Sequence, residues 1–146
     1  MPTNRKIVFA NNQFYHLFNR GVERRPVFTN KREFLRAVDL VNFYRFNKPP
    51  LRYSKYLVLG EDLRQNFLAG LKEKAVEIIA FCLMSNHFHF LVRQVQDSGT
   101  SKFMANFMNS YTKYFNANYQ RVGPLFQGAF KAVHIESDEQ LLHLSR

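Results

Sequence analysis

Cysteine is almost absent from this chain: Cys82 is the only one. An internal disulfide is therefore excluded, and a reducing compartment fits. Cys82 lies in a stretch expected to form a strand, where a buried, inert thiol is the expected role. Acidic residues are also scarce, with 11 Asp and Glu against 21 Lys and Arg, for a net charge of +10. The imbalance is steepest at the start, where residues 1–50 hold ten basic and three acidic side chains. No apolar run approaches the ~18–20 residues that a membrane span needs. The apolar part of the first ten residues is too short for a signal peptide. Tryptophan is missing, yet there are 16 Phe and 7 Tyr. At 146 residues and 46% hydrophobic content, the chain fits one globular domain with a proper core. Its charge favours a polyanionic partner, nucleic acid well before an anionic membrane. Surface aromatics would add base stacking, roughly 1–3 kcal/mol per base.

Residues 1–12 read as a polar, basic arm. The aromatic-rich run from Phe14 to Arg20, closed by Gly21, predicts a strand. Thr29 offers an N-cap and Glu33 sits in the first turn beyond it, so a helix is expected from Lys31 to about Asn47. Phe34, Leu35, Val38, Val41 and Asn42 recur on it at helical spacing, and Pro49-Pro50 stops it. Residues 51–74 fit no clean element, although Glu61 to Lys74 has helical character; they read as an insertion. Val76–Met84 predicts a second strand, and Ser85-Asn86 a tight turn into a third. A long helix follows from about Ser101 to Tyr119, with Phe103, Phe107, Tyr111, Tyr114 and Phe115 on one stripe. Gly128–Glu136 predicts the last strand, and Ser137 caps the start of a further helix. The order implies an α+β, ferredoxin-like βαββαβ antiparallel sheet. Two helices would cover one face, with the insertion after the first helix and the start of a C-terminal helix at the end.

His87-Phe88-His89 is the most informative stretch. Side chains two apart on a strand share a face, so the imidazoles would project together while Phe88, Phe90 and Val92 enter the core. Two neutral imidazoles side by side form half of a metal site. His16 could reach the same region from the neighbouring strand, but a hydrogen-bonded core histidine is its expected role. His134 and His143 have no assignable partner.

Three blocks in this order resemble a known family. They are Tyr15-His16-Leu17-Phe18-Asn19-Arg20-Gly21, then Leu83-Met84-Ser85-Asn86-His87-Phe88-His89-Phe90-Leu91-Val92. The third is Tyr114-Phe115-Asn116 with Tyr119, continuing through Gly123-Pro124-Leu125-Phe126-Gln127-Gly128-Ala129-Phe130-Lys131. The likeness, from about residue 13 onward, is to the single-tyrosine HUH transposases, most closely the REP-associated tyrosine transposase branch (the IS200-like domain). The resemblance implies cleavage and rejoining of single-stranded or hairpin DNA by a tyrosine nucleophile. It also implies Mg²⁺ or Mn²⁺ as cofactor, held by His87 and His89. Candidate DNA contacts are Arg20, Arg24, Arg25, Lys31, Tyr114, Arg121 and Lys131. A bacterial-type, cytoplasmic, DNA-associated protein is expected, with no membrane partner and with a homodimer among the forms the family takes.

The sequence departs from the family pattern in one major respect. The family tyrosine lies in a stretch of the form Tyr-Ile-x-x-Asn-Pro, expected just after Arg146, together with the polar side chain that completes the metal site. Residues 1–146 therefore read as a single HUH-like domain truncated before its catalytic helix is complete, binding metal weakly and not cleaving DNA. Tyr111, Tyr114 and Tyr119 lie on a packing stripe and are not expected to substitute. Ser85 replaces a common turn proline, and Ala129 stands where relatives carry arginine, which leaves Lys131 to contact phosphate. The alternative reading is a non-catalytic nucleic-acid-binding module of ferredoxin-like fold. A metal-dependent hydrolase without a tyrosine is a poorer reading, because no Asp or Glu accompanies the histidines.

Overall fold

The computed structural model describes residues 7–140. Four strands, β1 (Phe14–Arg20), β2 (Val76–Leu83), β3 (His87–Gln94) and β4 (Lys131–Ile135), form one sheet in the order β2-β3-β1-β4. Every neighbouring pair is antiparallel. The principal helices are α1 (Lys31–Tyr44) and α4 (Gly99–Tyr119), which pack together on one face of the sheet. This is the ferredoxin-like arrangement expected from the element order. The insertion between α1 and β2 holds two short helices, α2 (Tyr53–Leu57) and α3 (Glu61–Gly70). Residues 138–140 start a further helical turn, with the Gln140 N–H donating to Ser137 Oγ at 3.1 Å. The rest of that turn, and His143, lie outside the described residues. No helix among the described residues is long and apolar enough to cross a membrane.

Aromatic packing joins the two layers. Phe88, Phe90 and Val92 of β3 are fully buried against Phe103 and Phe107 of α4. Phe90 meets Phe107 edge-on at 5.1 Å and 83°, and Phe88 meets the same ring at 5.4 Å and 75°. Such contacts add about 0.5–1.5 kcal/mol per pair beyond area burial. The alternation that buries these rings also turns His87 and His89 to the other side of the sheet.

The start of α1 differs from the sequence expectation. Asn30, not Thr29, is the N-cap: its side chain accepts from the Glu33 N–H at 2.9 Å. Thr29 instead donates its backbone N–H and its hydroxyl to the Glu33 carboxylate, at 2.8 and 2.7 Å. The buried face of α1 is Glu33, Ala37, Leu40, Val41 and Phe43, whereas Phe34 and Leu35 are exposed. The small Ala37 and the polar Glu33 lie on that buried face, although neither belongs to the run of large apolar positions. The helix also ends at Tyr44, short of Asn47.

Gly21 is fixed by close packing. A Cβ there would lie 2.1 Å from the Arg25 carbonyl oxygen and 3.0 Å from Val27 Cγ1. That space lets residues 21–28 fold against the β2–β3 turn, where Gly21 donates to the Asn86 carbonyl, and Val27 and Phe28 donate to that of Ser85. Gly21→Ala is expected to destabilise the fold by about 1–3 kcal/mol through overpacking, measured as a lower urea midpoint. An unchanged midpoint would contradict this packing.

Candidate metal and nucleic-acid site

The register assembles side chains far apart in sequence on the sheet face opposite the helices. Phe18 of β1 pairs with His89 of β3, His89 with Cys82 of β2, and Phe18 with Lys131 of β4. The neighbouring pair at one end is Arg20 with His87, and on the other side His16 pairs with Leu91 and Val133. His16, Phe18, His87 and His89 thus share one face, and all four are half-buried. The face is not uniformly open. Leu91 and Ile135, at one end, are buried, while Arg20, Cys82 and Lys131 are exposed.

Each histidine of the pair has one ring nitrogen engaged. His87 Nδ1 lies 2.8 Å from Asn86 Oδ1, and the other side of that amide, Nδ2, points to the Arg24 carbonyl at 3.5 Å. His89 Nδ1 lies 2.9 Å from His16 Nε2, with the two rings stacked at 5.1 Å. The His87 and His89 rings are 5.1 Å apart and nearly perpendicular, at 87°. Neither Nε2 atom meets a hydrogen-bonding partner among the described residues. Burial lowers the pKa of His89, and the neighbouring His16 and His87 lower it further; burial also lowers that of His16. The His89 ring is therefore held toward the neutral form that can bind a metal. Among the described residues, no third His, Cys, Asp or Glu completes a metal-sized cluster with the pair.

Two residues depart from their expected places. Cys82 is exposed, because β2 is an edge strand and this position faces away from the helices. His16 is not a core residue: it lies on the histidine face, in contact with His89. Its role depends on the pairing of two strands 73 residues apart, which no local pattern reveals.

The candidate DNA-contacting residues divide into groups. Arg20 is exposed at the His87 end of the sheet. Arg24 and Arg25 are exposed on the loop that packs against the Ser85-Asn86 turn, and Lys31 is exposed at the start of α1. Lys131 is exposed on the histidine face. Arg121 is committed elsewhere: its guanidinium donates to Asn116 Oδ1 at 2.6 Å and to the Pro124 carbonyl at 3.1 Å, closing the turn after α4. Tyr114 lies on the helical layer, with the Arg36 guanidinium 4.2 Å from its ring centroid. There it borders a cavity shared with Arg36, Arg52, Tyr53 and Lys113. His134 finds Gln13 Oε1 at 3.0 Å.

All seven tyrosines fall within the described residues, and none lies on the histidine face. Tyr15 alternates with His16 on β1 and is buried in the core. Tyr44 is on α1, Tyr53 and Tyr56 on α2, and Tyr111, Tyr114 and Tyr119 on α4. The Tyr111 hydroxyl donates to the buried Val27 carbonyl, and burial raises its pKa.

A ferredoxin-like sheet, backed by two helices and bearing paired imidazoles on its far face, defines the class of this protein. The family model described as Transposase IS200 like matches residues 53–144, and the chain belongs to that family. Two solved structures are similar over 99% of this chain. One is a REP-associated tyrosine transposase bound to a REP hairpin, with a TM-score of 0.60, 12% identity and 68% of its own length covered. The other is a candidate transposase from Deinococcus radiodurans R1, with a TM-score of 0.53, 13% identity and 92% coverage. No curated protein matches the sequence.

Proposed function

We propose that this IS200-like transposase domain binds single-stranded or hairpin DNA across its histidine face. There it serves as the metal-holding half of a tyrosine transposase site. The observation that carries the reading is the pair of Nε2 atoms, on two residues sharing one sheet face, with both Nδ1 atoms already engaged. Two imidazole nitrogens, with His87 and His89 as the ligands, fit a divalent cation that accepts nitrogen, such as Mn²⁺. They suit Mg²⁺, which the family resemblance also names, less well, because it prefers oxygen. When bound, the cation would neutralise charge on a phosphodiester. Arg20, Arg24, Arg25 and Lys131 supply positive charge around the pair, in keeping with the chain's net charge of +10. Lys31 stands further along the same basic stretch. Tyr114 and Arg121 are left out of this surface, because one lines a cavity in the helical layer and the other closes a turn. The hairpin-bound structural neighbour supports DNA as the partner.

The chemistry is exchange at phosphorus. A tyrosine oxygen forms a bond to the phosphorus and the bond to the 3′ oxygen breaks. The departing oxygen takes a proton to become a 3′-OH, and the 5′ phosphate stays on the tyrosine. Rejoining is the reverse attack. None of the seven tyrosines is positioned for this, so residues 1–146 alone act as a DNA-binding module, which is the second reading. We take residues 1–146 as one such domain.

The test uses a version of the chain carrying the family's Tyr-Ile-x-x-Asn-Pro stretch after Arg146. It is incubated with 3′-labelled hairpin DNA and Mn²⁺. A denaturation-resistant adduct is expected from that protein, none from its His87→Ala variant, and binding without adduct from residues 1–146. No adduct from the extended protein, or an equal amount from His87→Ala, would contradict the proposal.

A further inference from the structure

We infer that His16 and Asn86 are positioning residues that fix which nitrogen of each metal-binding histidine carries its proton. The inference rests on the metal-site reading of His87 and His89 and deepens it. A neutral imidazole has one N–H and one lone pair, and only the lone pair can bind a metal. A ligand histidine is therefore useful only when the proton sits on its other nitrogen, and a hydrogen-bond acceptor at that nitrogen secures this.

For His87 the acceptor is the Asn86 side-chain carbonyl. The Nδ2 of Asn86 is directed to the Arg24 carbonyl, so its Oδ1 faces His87 Nδ1 at 2.8 Å. A carbonyl oxygen can only accept, so His87 carries its proton on Nδ1 and leaves Nε2 bare. For His89 the partner is His16, whose Nε2 lies 2.9 Å from His89 Nδ1. One proton lies between the two rings, and its direction decides the site. If His16 donated, neutral His89 would hold its proton on Nε2 and lose the only nitrogen free to bind a metal. If His16 accepts, His89 is protonated on Nδ1 and Nε2 is bare, matching His87. A metal-binding His89 therefore requires His16 as the acceptor across this 2.9 Å contact. Two elements far apart in the chain, the β2–β3 turn and β1, then perform the same task on neighbouring ligands.

Two readouts on residues 1–146 test this. The first is the Mn²⁺ dissociation constant from electron paramagnetic resonance, for wild type, His16→Leu and His16→Gln. Removing an acceptor of this kind weakens metal binding roughly 10–100-fold. His16→Leu is expected in that range, whereas His16→Gln, whose Oε1 can still accept, should stay within about threefold of wild type by the same argument. A residue that merely filled space would show no such rescue. The second is the long-range ¹H–¹⁵N spectrum of the metal-free wild type, expected to show His89 protonated at Nδ1 and bare at Nε2. This readout needs no variant, so it decides the matter even where His16→Leu fails to fold. His89 protonated at Nε2, or His16→Leu binding Mn²⁺ as tightly as wild type, would overturn the role of His16. Wild type that does not bind Mn²⁺ at all would instead overturn the metal-site reading.

Discussion

Replacing His89 with alanine is expected to weaken Mn²⁺ binding to residues 1–146 by at least about 100-fold, and His87→Ala by a similar factor. The size follows from the donor count. Among the described residues no third metal-binding side chain joins the pair, so either change leaves a single imidazole. Neither change should unfold the protein. Both side chains lie on the face away from the aromatic core, and both are half-buried rather than packed. The thermal midpoint of metal-free protein is therefore expected to move little while the titration loses its signal. Mn²⁺ affinity that survives in both single variants would place the cation elsewhere.

Glu33→Ala is expected to have the opposite signature, a large loss of stability with metal affinity unchanged in the protein that remains folded. The Glu33 carboxylate is buried at 2% exposure. It accepts from the Thr29 N–H and hydroxyl, the Asn30 amide and the Tyr119 hydroxyl. It thereby ties the start of α1 to the end of α4. Alanine removes the common acceptor and leaves several donors without a partner, at a cost of roughly 2–4 kcal/mol. For a chain of this size that is a fall in Tm on the order of 10 °C.

The same cluster sets a pH dependence. Burial raises the Glu33 pKa, but the hydrogen bonds from Tyr119, Thr29 and Asn30 outweigh it, and the net shift is downward. A carboxyl lowered in the folded state contributes stability that is present above its unfolded pKa and lost as pH falls through the folded value. Wild type should lose more stability than Glu33→Gln between about pH 5 and pH 3, read from urea midpoints across that range. Parallel profiles for the two proteins would show that the Glu33 charge contributes nothing.

Much of this was legible in the sequence, and the reasons for the rest are specific. The bounds of β1 followed from an aromatic run ended by Gly21. The shared face of His87 and His89 followed from strand alternation alone. The sheet order followed from the succession of elements. The cap of α1 was misplaced because Thr29 and Asn30 are both good capping residues, and the choice depends on which one Glu33 recruits. Phe34 and Leu35 looked like core because a helical stripe defines a face but not the position of its neighbours. The exposure of Cys82 depends on β2 being an edge strand, which is a property of the assembled sheet. The place of His16 beside His89 depends on long-range register in the same way. Residues 51–74 gave only a weak pattern because α2 and α3 are short, and α3 buries none of its side chains fully.

Anomalous diffraction from crystals of residues 1–146 grown or soaked with Mn²⁺ tests the histidine metal site most directly. A manganese peak is expected within bonding distance of both Nε2 atoms, with His89 Nδ1 still on His16 and His87 Nδ1 still on Asn86. A peak at Cys82 or another site, or imidazoles that bind through Nδ1 after releasing His16 and Asn86, would contradict it.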